Sequence, residues 1–117
     1  MEYTLRIKKN KTFRAVLKKG KFFREKHLVV HILKCRQDTV NINYFGVCVS
    51  KKNGNSVQRN KLKRWAREVY TKEEMNLKKG YNIVIIYKKG VGVNDLNFQI
   101  VKNEVISCLK GLKEYDK

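Results

Sequence analysis

The chain has 117 residues, one domain's worth, and its 28 Lys and Arg against 10 Asp and Glu give a net charge of +18. A hydrophobic content of 42% excludes wholesale disorder. Apolar runs such as Ile83 to Tyr87 fall far short of the roughly 20 residues that span a bilayer. The sequence opens without an apolar stretch, so no secretory signal is expected. Cys35, Cys48 and Cys108 are odd in number and irregularly spaced, which argues against a disulfide scaffold and for a reducing cytosol. The charge exceeds the roughly 2–8 units that keep a small domain soluble. It calls for a polyanionic partner, with nucleic acid ahead of an anionic membrane surface.

In chain order, residues 1–10 read as a short basic approach segment carrying Leu5 and Ile7. Residues 10–19 read as a helix, because Phe13, Val16 and Leu17 share one face and Gly20 stops it. Residues 28–35 and 42–50 read as strands, joined by a turn over Asp38 to Asn41. Residues 51–56 read as a loop whose Asn55 or Ser56 caps a second helix over 57–75. Gly80 marks a turn, and Tyr81 to Tyr87 is a continuous β-branched run that reads as a central strand. Asn94 is the expected cap of a last helix, on which Phe98, Val101, Val105, Cys108 and Leu112 form one apolar stripe. The order α-β-β-α-β-α predicts an α+β fold, helices packed on a small sheet in a two-layer sandwich.

The second helix carries the chemistry. At a 3.6-residue period Leu62, Trp65, Ala66 and Val69 gather on one arc. Arg59, Asn60, Lys63, Arg64 and Arg67 gather on another. Arg59–Lys63 and Lys63–Arg67 are like-charge i, i+4 pairs, each costing roughly 0.2–0.5 kcal/mol in an isolated helix. Positive charges near a helix N-terminus also oppose the macrodipole. No acid lies between Asp38 and Glu68 to offset these costs. The arc therefore reads as a cationic plate for phosphate, with Lys51, Lys52 and the loop before the helix beside it.

The stretch Val49-Ser50-Lys51-Lys52-Asn53-Gly54-Asn55-Ser56-Val57-Gln58-Arg59-Asn60-Lys61-Leu62-Lys63-Arg64-Trp65-Ala66-Arg67-Glu68 resembles the signature of the bacterial ribonuclease P protein family. Leu5-Arg6-Ile7-Lys8-Lys9, Phe13, Val16 and Gly20 are similar too, and the resemblance covers essentially the whole chain. It implies an α-β-β-β-α-β-α, ribosomal-protein-like fold with a left-handed β-α-β crossover, against the right-handed rule. It also implies a protein component of an endoribonuclease that binds ribonuclease P RNA and the 5′ leader of precursor tRNA. In that complex the RNA cuts, using Mg²⁺, and the protein itself holds no cofactor. By the same resemblance Lys51, Lys52, Asn55, Arg59, Asn60, Lys63, Arg64 and Arg67 bind RNA. Phe13, Leu17 and His31 would line the leader cleft, with Leu17 and His31 standing where Phe and Tyr are common in the family. Tyr44 replaces a usual Arg.

No constellation for protein-based catalysis or metal binding is expected. Glu73-Glu74 is an adjacent acidic pair placed on a solvated helix end. His27, His31 and Cys35 step by four, which on a strand separates them by about 13 Å. The cysteines read as small core residues. Neither a membrane nor a protein partner is indicated. A basic ribosomal or other structural RNA-binding protein is the alternative. A self-sufficient nuclease lacks a carboxylate cluster, and a helix-turn-helix lacks the helix before 57.

Overall fold

The computed structural model describes residues 1–35 and 41–112. The expected turn over Asp38 to Asn41 lies almost wholly outside the described residues. Eight main elements follow one another: β1 (Thr4–Arg6), α1 (Asn10–Lys19), β2 (Lys21–Arg24), β3 (Leu28–Lys34), β4 (Asn43–Cys48), α2 (Ser56–Glu73), β5 (Tyr81–Tyr87) and α3 (Phe98–Gly111). The five strands form one mixed sheet in the order β1-β4-β5-β3-β2. β1, β4 and β5 run parallel, while β3 runs antiparallel to β5 and β2 antiparallel to β3. β4 and β5 are adjacent and parallel, so α2 between them is a crossover helix.

The sheet's strand period sorts its side chains onto two faces. Leu28, Val30 and Ile32 of β3, Phe45 of β4 and Ile83, Ile85 and Tyr87 of β5 face α2 and α3. From α2 they meet Leu62, Ala66, Val69 and Tyr70, and from α3 Val101, Val105, Cys108 and Leu109. Full burial of a side chain such as Leu62 stabilises by roughly 1.5–3 kcal/mol. Two contacts fix how α2 lies: Phe45 stacks on Tyr70 at 4.2 Å, and the Tyr87 hydroxyl donates to the Leu62 carbonyl at 2.8 Å. α1 crosses the opposite face, burying Val16 against Ile7 and Val84.

Five expectations need correction. The approach segment contains an edge strand, β1, because Glu74 anchors it. The Glu74 carboxylate is 4% exposed and accepts from the Glu2 N–H at 2.7 Å, the Tyr3 N–H at 2.9 Å and the Thr4 hydroxyl. Glu74 is therefore a buried staple and not part of a solvated end. The second helix ends at Glu73, followed by a 3₁₀ turn over Glu74–Asn76. Asn94 lies in another such turn (Val93–Asp95), and α3 is capped by Asn97, whose side chain accepts from the Ile100 N–H. Of the cysteines only Cys108 is buried; Cys35 and Cys48 are half-buried free thiols.

The Glu74 staple carries a prediction. Burial pushes its carboxyl up, but hydrogen bonds from Thr4, Glu2 and Tyr3, with the amino-terminal charge, outweigh that and hold it below the ordinary 4.5. A depressed carboxyl stabilises fully above its unfolded value and loses that contribution as pH falls through its folded value. Glu74→Ala should cost roughly 1–3 kcal/mol at pH 7, the penalty for leaving buried donors unpaired. Urea unfolding should show the gap between wild type and variant closing below pH 4.5. A gap that persists unchanged at pH 3 would contradict the staple.

Candidate RNA interface

The cationic helix begins where its cap dictates. Asn55 accepts from the Gln58 N–H at 2.9 Å, and the Gln58 side chain accepts from the Asn55 N–H at 2.9 Å, a reciprocal capping box. Upstream, Ser50 donates its N–H to the Asn53 side chain at 2.8 Å. The Asn53 amide then donates to the carbonyls of Lys88 and Val91, both at 2.8 Å. Asn53 is 2% exposed, so it ties the loop bearing exposed Lys51 and Lys52 to the end of β5. Gly54 between them has φ +129°, a conformation that favours glycine. Asn55 thus has its side-chain oxygen committed to the helix start.

The burial of α2 follows the two arcs. Leu62, Ala66, Val69 and Tyr70 are buried; Arg59, Lys63 and Arg67 are half-buried, and Asn60 and Arg64 are exposed. Among the described residues no carboxylate lies within ion-pair distance of Arg59, Lys63, Arg64 or Arg67. Lys61 turns away to sit 5.2 Å from the Trp65 ring. Four uncompensated cationic side chains on one rigid face form a surface suited to phosphate.

α1 divides the far sheet face. The Phe13 ring lies over Gly46, where an added Cβ would come within 2.5 Å of it, so glycine alone admits the ring. On the other side of α1, Leu17, Phe22, Arg24, Val29, His31 and Lys88 line a groove of about 590 Å³. The register extends its floor along one rung, from Arg24 through Val29 and Ile86 to Cys48. Phe22 is 51% exposed, its ring 5.4 Å from His31 and 5.3 Å from the Arg24 guanidinium. Burial, then the Arg24 charge, pushes the His31 imidazole below its ordinary 6.5, so at neutral pH it is a flat uncharged ring. Its buried Nδ1 has no hydrogen-bond partner among the described residues.

The fold thus brings Leu17 and His31 together in the groove. Phe13 stands apart, in a pocket of about 220 Å³ shared with Lys63 and Arg67 of α2. Phe22, Arg24 and Lys88 were missed by sequence reasoning. The stretch Lys21-Phe22-Phe23-Arg24 was the available signal: Phe23 packs against Gly111 of α3, and its neighbour Phe22, on the opposite face between two cations, is left exposed. Among the described residues no three His, Cys, Asp or Glu gather as a metal site, and no helix is long and apolar enough to cross a membrane.

Fold and surface define a class: a small α+β protein with a cationic helix face that no described carboxylate pairs, and an aromatic groove on the opposite face of its sheet. The Ribonuclease P family model matches residues 1–113. The ribonuclease P protein component of Clostridium acetobutylicum is 46% identical over 114 residues, covering 96% of this chain and 93% of the relative. That of Clostridium botulinum is 42% identical over 106 residues, covering 90% and 91%. Among solved structures, the Staphylococcus aureus RNase P protein superposes with a TM-score of 0.81 at 31% identity, covering 95% of this chain and 97% of the other. The Thermotoga maritima RNase P protein gives 0.75 at 28% identity, covering 88% and 93%. The chain belongs to the ribonuclease P protein family.

Proposed function

We propose that this chain is the protein subunit of a bacterial ribonuclease P, acting in the cytoplasm to help remove the 5′ leader from precursor tRNA. The α2 face, with Lys51 and Lys52 beside it, binds the backbone of ribonuclease P RNA. The groove beside α1 holds the single-stranded leader, its rings offering stacking and Arg24 and Lys88 meeting phosphates. The observation that carries the reading is that one small sheet bears, on one face, a helix whose Arg59, Lys63, Arg64 and Arg67 have no carboxylate partner among the described residues and, on the opposite face, this aromatic groove. Hydrolysis is assigned to the RNA. The Mg²⁺ is assigned to the RNA as well; among the described residues no three His, Cys, Asp or Glu gather to hold such an ion. The chain's own task is to position the leader and screen its charge.

The test is binding of precursor tRNA, with a leader of about five nucleotides or none, to ribonuclease P RNA with and without this chain. The subunit reading expects the protein to tighten binding of the leader-bearing substrate selectively. Equal tightening of both substrates would move the chain to the structural RNA-binding class.

A further inference from the structure

Lys88 lies one residue beyond β5, where strand pairing has ended, yet its backbone is held from both sides. Its N–H donates to the His27 carbonyl at 2.9 Å, and its carbonyl accepts from the Asn53 side-chain amide at 2.8 Å. His27 is itself fixed by Glu104 of α3, which accepts from the His27 N–H at 2.9 Å and places its other oxygen 2.5 Å from the ring Nδ1. On the second side Asn53 uses its whole side chain. Its amide also donates to the Val91 carbonyl at 2.8 Å, and its oxygen accepts from the Ser50 N–H at 2.8 Å and the Ser50 hydroxyl at 3.3 Å. An amide side chain offers two donors and two lone pairs, so none of its bonding capacity is left over. Among the described residues no other side chain hydrogen-bonds between residues 50–55 and 88–95.

This clamp joins the two surfaces assigned to RNA. Lys51 and Lys52 stand in the loop that opens α2, and Lys88 lines the groove on the opposite sheet face. A lysine is a point charge on a flexible stem. Its ammonium reaches only as far as its Cα allows, and any freedom left at the base of the stem must be given up on binding. The following turn contains Gly90 at φ +83° with open space around it, and by itself would leave that base loose. A buried amide with four bonds fixes the two carbonyls in direction, whereas an apolar side chain would only fill the space. We propose that Asn53 is a positioning residue for leader binding: buried and out of reach of RNA, it holds the Lys88 backbone so that the lysine meets a leader phosphate in the groove. This rests on the leader-groove reading and adds to it a residue outside the groove.

The test is a double-mutant cycle in the complex with a bacterial ribonuclease P RNA, measuring affinity for precursor tRNA with and without its leader. Asn53→Leu and Asn53→Ser both remove the amide donors, and both are neutral, so neither changes the charge that RNA meets. Each should weaken the leader-bearing substrate about two- to tenfold and leave the leaderless one within about 1.5-fold. In a Lys88→Ala background the same substitutions should change leader affinity by less than about 1.5-fold, because the group they position is gone. Equal losses in both backgrounds, or for both substrates, would mean a general packing role and overturn the proposal. A second measurement needs no variant: ¹⁵N relaxation of the folded wild-type chain should give Lys88 and Val91 amides as ordered as those of β5. Amides there as mobile as an open loop would overturn it too. If Lys88→Ala leaves leader affinity intact in a complex that still favours the leader-bearing substrate, Asn53 loses its role and the leader reading stands. A wild-type complex blind to the leader sinks both.

Discussion

Replacing Lys63, Arg64 and Arg67 together by alanine should flatten the salt dependence of RNA binding while leaving the fold intact. Each phosphate contact releases counterions, so log K falls against log salt by roughly 0.7–0.9 per contact. Losing three contacts should reduce the slope by about two to three and weaken binding by orders of magnitude at low salt. The fold should not suffer, because Arg64 is exposed and none of the three has a described carboxylate partner. Removing the Lys63–Arg67 repulsion should even return a few tenths of a kcal/mol, about the cost of such a pair in an isolated helix. Salt titrations beside urea unfolding separate these effects. A lost affinity with an unchanged slope, or a variant that unfolds, would remove the phosphate plate from the account.

The second large effect concerns Phe22. Its ring is half exposed on an edge strand, held between His31 and Arg24, and little core depends on it. Phe22→Ala should therefore cost little stability. A stacked base is worth roughly 1–3 kcal/mol, so affinity of the assembled complex for leader-bearing precursor tRNA should fall about 5- to 150-fold. Binding of mature tRNA should be nearly unchanged. Equal losses for both substrates would mean that Phe22 supports packing and not the leader.

The cationic helix was legible in the sequence because its two arcs obey a 3.6-residue period and tertiary contacts agree with them. Tyr81 to Tyr87 was legible because a central strand covered on both faces is mostly apolar on both. β1 and β2 were not. Each is an edge strand of three or four mostly exposed residues, so neither needs an alternating pattern, and pairing partners far along the chain create them. Glu74 escaped for a related reason: an acid after a basic helix reads as solvated until the amides of Glu2 and Tyr3, more than 70 residues away, arrive at its oxygens. Asn94 and Asn97 are equally good caps by residue type. Asp95 decides between them, accepting from the Gly92 N–H at 2.8 Å and closing a separate turn before α3 can begin. The groove was half visible, since Leu17 and His31 were named, but Phe22, Arg24 and Lys88 join them only through the β2–β3–β5 register.

Cleavage of a leader-bearing precursor tRNA at low Mg²⁺, by a bacterial ribonuclease P RNA with this chain, by the RNA alone and by the chain alone, tests the central claim most directly. The account predicts cleavage stimulated only in the mixture, with the 5′ end of the mature tRNA as product. Cleavage by the chain alone, or a mixture no faster than the RNA alone, would contradict it.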